Sequence, residues 1–260
     1  MGLLDGRVAV VTGVGPGLGR QVALALSREG AAVALAARTA SFLDEVAAEI
    51  AAGGGRAIAV PTNIVESSQC QALVERATAE LGTIDCLVNS AFRPDVFKRF
   101  DEVDLTAWKK LFEVNTFGAL QLAQAAIPVM KRNGGGSIVF VGSMVTRKPM
   151  ELQGGYAASK AALMSAAQTM AKELGPHRIR VNTVVPGWMW GHLVKLGFEM
   201  NEAGGGPTVK QQYDAVAANI PLGEIPTDED VAKAILFFAS DLSKAVTGQT
   251  LDVNGGEVFA

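Results

Sequence analysis

The chain has only two cysteines, Cys70 and Cys86, in 260 residues, and they form no CxxC pair. That excludes a disulfide framework and reads as two small buried hydrophobes. It has only two histidines, His177 and His192, without HxxxH or HExxH spacing, so no metal site is expected. Net charge is small at −3, with Lys and Arg spread along the chain. A nucleic-acid footprint and a basic membrane-surface stripe are both missing, so neither partner is expected. Apolar runs such as 31–37 and 234–239 are too short to span a bilayer. The start, Met1-Gly2-Leu3-Leu4-Asp5-Gly6-Arg7, enters an apolar strand pattern without the basic and apolar regions of a signal peptide. The expectation is a cytoplasmic protein that acts on a small molecule.

What is present is ample core material, 49% hydrophobic residues, arranged in alternation. Short apolar and β-branched runs stand at 8–11, 33–37, 57–61, 86–89, 137–141, 180–185 and 250–253. Helical periodicity lies between them, near 18–29, 40–52, 66–81, 104–132, 155–174 and 228–240. This is the pattern of repeated βαβ units: an α/β fold with a doubly wound, Rossmann-type parallel sheet of about seven strands. No linker interrupts it before residue 186, so residues 1–260 read as one dinucleotide-binding and catalytic domain. From Pro186 to about Pro226 the rhythm breaks into an irregular stretch, with only a short helical piece near 208–218. A connection this long reads as a lid, here 187–226, and Trp188 and Trp190 inside it favour a binding role over a tolerated insertion.

Directly after the first strand comes Thr12-Gly13-Val14-Gly15-Pro16-Gly17-Leu18-Gly19, and then a helix. Glycines let the backbone turn and approach a pyrophosphate, while the helix N-terminus offers free N–H groups. No GK[ST] follows, which argues against a nucleoside-triphosphatase loop. The second strand ends in Ala36-Ala37-Arg38-Thr39. An acid at this tip would bond a ribose 2′-hydroxyl, whereas an arginine suits a 2′-phosphate. Ala37 holds the acid's place and Arg38 follows it, so NADP(H) is the expected cofactor and NAD(H) the alternative.

Tyr156 and Lys160 are four apart, on one helix face. A nearby ammonium lowers a phenol's pKa towards the range of a proton shuttle. Ser143 lies just past the strand at 137–141, on the carboxyl edge where ligands bind in such sheets.

With these residues in place, the chain from Gly6 to Gly256 resembles the short-chain dehydrogenase/reductases. The family's TGxxxGxG is matched by Thr12-Gly13 through Gly17 and Gly19, and its tetrad by Asn115, Ser143, Tyr156 and Lys160. Pro186-Gly187 and Gly248-Gln249-Thr250-Leu251-Asp252-Val253-Asn254-Gly255-Gly256 are further matches. The resemblance implies hydride transfer between NADP(H) and a carbonyl or secondary alcohol. In that scheme Tyr156 is the acid–base, Ser143 holds the substrate oxygen, Lys160 lowers the Tyr156 pKa and holds the nicotinamide ribose, and Asn115 anchors a relay water. It further implies cofactor contacts from Gly13, Gly15, Gly17, Leu18, Gly19, Arg38, Thr39, Asn63, Ile64, Asn89, Ser90, Ala91, Tyr156, Lys160, Pro186, Gly187 and Met189.

Three positions depart from the family pattern. NNAG becomes Asn89-Ser90-Ala91-Phe92, the adenine-side Asp becomes Asn63, and the threonine after PG becomes Gly191. Phe92, Ser143, Met144, Met150, Tyr156, Trp188, Trp190 and His192 are the expected substrate contacts, and Met189 adds to the same apolar wall. They favour a bulky hydrophobic substrate over a sugar, with Arg93 and Lys148 free for a distant acidic group. Relatives pair helices equivalent to 104–132 and 155–174, which implies a homotetramer with the tail 253–260 at a second interface. Competing readings are an NAD-dependent dehydrogenase, an isomerase, dehydratase or decarboxylase on the same scaffold, and a non-catalytic nucleotide sensor. Sensors usually lose the tyrosine or lysine that this chain keeps.

Overall fold

The computed structural model describes residues 2–259; Met1 and the tail's last residue, Ala260, lie outside them. The seven apolar runs are strands: β1 (Val8–Thr12), β2 (Ala32–Ala37), β3 (Ala57–Pro61), β4 (Cys86–Asn89), β5 (Gly136–Val141), β6 (Ile179–Pro186) and β7 (Thr250–Val253). All neighbours pair in parallel, in the order β3-β2-β1-β4-β5-β6-β7. The fold is a Rossmann-type α/β sheet. The inner strands are apolar throughout because helices cover both faces: every residue of β1 and β4 is buried.

Helices α1 (Leu18–Arg28), α2 (Ala40–Ala52) and α9 (Asp228–Ala239) bury Val22, Leu26, Leu43, Val46, Ile235 and Phe238 on one face. On the other face, α3 (Ser67–Leu81), α5 (Ala119–Arg132) and α6 (Gly154–Leu174) bury Leu73, Leu122, Met130 and Leu163. Each such side chain contributes about 1.5–3 kcal/mol on leaving water, far more than helix propensity supplies. Both cysteines are buried and free, and burial pushes the Cys86 thiol up to about 12. Among the described residues no helix is long and apolar enough to cross a membrane.

One helical reading is refined and one corrected. The stretch 104–132 is helical from Leu105 to Arg132, but its winding changes: α4 (Leu105–Phe112) passes into α5 through a π-helical turn, Glu113–Gly118, that contains Asn115. The stretch after β6 is not irregular. It holds α7 (His192–Ala203) as well as α8 (Val209–Ala217), whose Thr208 and Gln211 form a reciprocal capping box.

Strand order reverses at β1 and β4, which opens a crevice at their carboxyl ends. Thr12 and Asn89 end these two strands side by side, and the Thr12 hydroxyl donates to Asn89 Oδ1 at 3.0 Å. The Gly-rich turn, Asn89, Ser143 and Pro186 all leave the sheet at this edge.

Candidate active site

The Gly-rich turn is built for close backbone approach. Gly13 has φ +70°, and a methyl carbon on it would meet the Ala91 backbone. A methyl carbon on Gly19 would strike the Gly13 carbonyl, so helix α1 can begin this near the turn only with glycine there. Gly15 and Gly17 are different: a methyl carbon on either would have no atom closer than 3.5 Å. Their backbone faces the open cleft at the N-terminus of α1, where a pyrophosphate fits. Behind it, Asn89 Nδ2 is buried without a partner, a spare donor at the crevice floor. These features fit a dinucleotide.

The cleft continues on both sides of the turn. A cavity of about 640 Å³ is lined by Gly13, Gly15, Arg38, Thr39, Asn63, Ile64, Ser90, Ala91 and Phe92, with Val14, Phe42 and Thr62 besides. Arg38 is exposed at its edge. The other arm, about 320 Å³, is lined by Gly13, Gly15, Gly17, Leu18, Gly19, Phe92, Ser143, Met144, Met150, Tyr156, Lys160, Pro186, Gly187, Trp188, Met189 and His192. One cleft thus joins the phosphate turn to Ser143, Tyr156 and Lys160.

Ser143 caps the short 3₁₀ turn Met144–Thr146 at the end of β5. Tyr156 stands in the first turn of α6, with the Phe92 ring edge-on at 6.3 Å between centroids. Lys160 is 2% exposed, and its Nζ donates to the Val141 carbonyl at 2.8 Å while lying 5.8 Å from the Tyr156 ring centre. Burial lowers Lys160 to about 8. Burial also pushes Tyr156 up to about 12, with the Ser143 hydroxyl opposing it. The Lys160 ammonium is held at the strand end by the Val141 carbonyl, beside the Tyr156 ring.

Asn115 neither bonds its own helix nor points into the cleft. Its Oδ1 accepts from the Arg93 N–H at 2.7 Å, and its Nδ2 donates to the Arg93 carbonyl and to Ser159 Oγ, each at 3.0 Å. Both amide protons are used within the protein. It ties the loop after β4 to α6.

Two expected substrate contacts are also corrected. Trp190 does not line the cleft; its ring meets Tyr213 at 4.8 Å and Phe198 at 5.8 Å, inside the core of the α7–α8 segment. Lys148 is not free, because it pairs with Glu257 at 2.9 Å. Residues that sequence reasoning missed include Asp228, Leu193 and Gln153 in the catalytic arm and Asp95 in the other. Asp228 lies against Gly191, where any β-carbon would collide with its carboxylate, and burial raises its pKa against the pull of Lys195 and His192. The change of threonine to Gly191 was visible in sequence; the acid that fills the space was not.

A family model described as "Enoyl-(Acyl carrier protein) reductase" matches residues 13–257. A short-chain dehydrogenase/reductase from Burkholderia xenovorans superposes with a TM-score of 0.91 at 31% identity, covering 99% of this chain and 98% of that one. The chain belongs to the short-chain dehydrogenase/reductase family. It is an oxidoreductase of that family acting on CH–OH donors, and the family binds NAD(P)(H). The 7alpha-hydroxysteroid dehydrogenase of Escherichia coli K12 is 32% identical, covering 98% of this chain and 95% of that one. A 3-oxoacyl-[acyl-carrier-protein] reductase of Thermotoga maritima is 34% identical (98% and 99%), and an L-rhamnose 1-dehydrogenase (NAD(P)(+)) of a Sphingomonas strain is 36% identical (98% of each). A 7 alpha-hydroxysteroid dehydrogenase solved with NADH and 7-oxo glycochenodeoxycholic acid superposes with a TM-score of 0.86 at 32% identity, covering 97% and 94%.

Proposed function

We propose that this enzyme reduces a bulky hydrophobic ketone to a secondary alcohol, with NADP(H) as the preferred dinucleotide. The observation that carries the reading is the single cleft in which Ser143, Tyr156 and Lys160 share a wall with the Gly-rich turn. The nicotinamide supplies or accepts the hydride when bound, and the chain supplies orientation and the proton. Ser143 Oγ donates to the substrate oxygen and stabilises the charge that develops on it. Tyr156 Oη delivers the proton to that oxygen. Burial keeps the phenol protonated, which is the form reduction requires. Lys160, held at the Val141 carbonyl, stands behind Tyr156, with protons left to donate to ribose hydroxyls.

Arg38 underlies the choice of dinucleotide. No acid stands at the tip of β2 to bond a 2′-hydroxyl or repel a 2′-phosphate, and Arg38 brings a planar charged fork to the same edge. The NADH in the hydroxysteroid relative belongs to that protein, so the reading here rests on Arg38. For the substrate, Phe92, Met144, Met150, Trp188 and Leu193 make the cleft wall apolar. That accords with the steroid and acyl relatives better than with the sugar one.

The test follows reduced-nicotinamide absorbance over a panel of steroid, aryl and acyl ketones and sugars, with each dinucleotide, in wild type and Arg38→Ala. We expect turnover of hydrophobic ketones and a preference for NADPH. That preference should shrink about ten- to a hundredfold in the variant, as loss of a charge-assisted bond of about 1.5–3 kcal/mol implies. An unchanged cofactor ratio would remove Arg38 from the reading, and turnover of sugars alone would remove the substrate class. We further propose one domain with 187–226 as its lid, and a homotetramer in the cytoplasm.

A further inference from the structure

The catalytic helix starts badly by local rules. Its first two residues are Gly154 and Gly155, and the residue before them, Gln153, provides no side-chain cap. Two glycines in a first turn cost conformational entropy and leave the turn loose. They are there for packing: a methyl carbon on Gly155 would lie 2.6 Å from Trp108 Cδ1, and one on Gly154 would lie 3.0 Å from the same indole. Trp108 of α4 thus presses on backbone immediately before Tyr156, and no acceptor within α6 takes that residue's N–H.

Asp95 does, from 61 positions away in the chain. Its Oδ2 accepts the Tyr156 backbone N–H at 2.8 Å, and its Oδ1 accepts the Val96 N–H at 2.7 Å. The residue is 7% exposed, and among the described residues no Lys or Arg pairs with its carboxylate. A buried carboxylate without a cation is unfavourable unless its hydrogen bonds are well made. Here both oxygens face backbone donors, one of them at a helix N-terminus, where negative charge is favoured. The two backbone hydrogen bonds are what offset the burial of this carboxylate.

We propose that Asp95 is a positioning residue for Tyr156, fixing the loose first turn of α6 so that the phenol is held at its working place in the cleft. Asn115 completes the brace from the other side: it grips Arg93, two residues before Asp95, and Ser159, one residue before Lys160. Ser159 in turn donates to the Tyr156 carbonyl at 2.8 Å, and Thr116 donates to the Ser159 carbonyl at 2.9 Å. The loop after β4 therefore meets Tyr156 twice, through Phe92 at its ring and Asp95 at its N–H. The same loop lines the adenosine arm of the cleft, so the brace runs from the dinucleotide side to the acid–base. The inference rests on the reading of Tyr156 as the proton donor.

The chain has two tyrosines, so ¹⁵N-tyrosine labelling of the full protein gives two amide signals, and Tyr213→Phe assigns them. Hydrogen exchange of the Tyr156 amide, kcat, dinucleotide Kd and Tm are measured in wild type and in Asp95→Ala, Asp95→Asn, Asp95→Ser and Asp95→Glu. We expect Asp95→Ala to lose Tyr156 amide protection and about 10- to 100-fold in kcat, the scale of a misplaced catalytic group, with dinucleotide Kd within about threefold. Across the folded variants, kcat should fall in step with amide protection, with Asp95→Asn least affected because it keeps one acceptor oxygen. Protection lost with kcat unchanged would overturn the proposal, as would kcat lost with protection retained. Should Asp95→Ala fail to fold, the other three variants carry the same correlation. If Tyr156→Phe proves active, the acid–base reading fails, while amide exchange still decides whether Asp95 holds the helix start.

Discussion

The starts of α6 and α7 face the same cleft and are held in opposite ways. Around Tyr156, buried polar groups tie backbone to backbone: Ser159 is fully buried, and Asn115, Thr116 and Asp95 all reach in from other elements. α7 opens on Gly191 with no side-chain cap and buries one residue, Phe198. It leaves Leu193 58% and Met200 67% exposed. A reacting group must keep its place to within a fraction of an ångström, whereas a wall that admits apolar substrates needs only to present the right surface. On the proposed function, the contrast divides the tasks: chemistry on α6, selection on α7.

The sharpest way to break the comparison is Tyr156→Phe. We expect kcat to fall about 10²–10⁴-fold, with dinucleotide affinity measured by fluorescence titration little changed. A variant that keeps its rate would leave the rigid half without a purpose.

The cost of that rigidity is readable in Lys160. Its folded pKa of about 8 lies below the ordinary 10.5, so between these values the unfolded chain binds more protons than the folded one. Stability therefore rises with pH across that window, and the full penalty is present below pH 8. Urea unfolding at pH 7.5 and pH 10.5 should show a wild-type gain on the order of 3 kcal/mol that Lys160→Met lacks.

Effects in the proposed lid are expected to be smaller. Phe198 lies 6.2 Å from Trp188 and 5.8 Å from Trp190, between ring centres. Phe198→Ala should loosen this satellite core and raise KM for a hydrophobic ketone about tenfold, the equivalent of about 1.4 kcal/mol, with kcat little altered. Leu193→Ser comes last: its Tm should match wild type, as exposed substitutions usually stay within about 0.5 kcal/mol, while KM rises a few-fold. If either lid variant lowered kcat as Tyr156→Phe does, the division of labour would fail.

The same contrast explains what the sequence disclosed. All seven strands were legible, because a parallel sheet buried on both faces writes short continuous apolar runs. Tyr156, Lys160 and Ser143 stood out as a helix-spaced pair and a strand-end residue, whereas Asn115 was named only by the family resemblance. α7 was not: it follows Gly191, contains Gly197, and is held by a single buried residue, Phe198, against Trp188 and Trp190 rather than by an apolar stripe. For that reason Trp190 read as a cleft residue although it is a packing residue. The Asp95 bond was also out of reach, since nothing near Asp95 signals a helix start 61 residues later. Lys160 was read for its spacing to Tyr156, and its anchorage on Val141 exists only once β5 and α6 pack.

The contact between Gly191 and Asp228 constrains how the chain can change at either position. While Asp228 fills its present place, even alanine at 191 collides with the carboxylate. A side chain at 191 therefore requires the Asp228 carboxylate to swing aside or shorten, so the two positions are coupled: what 191 can hold depends on where 228 puts its carboxylate.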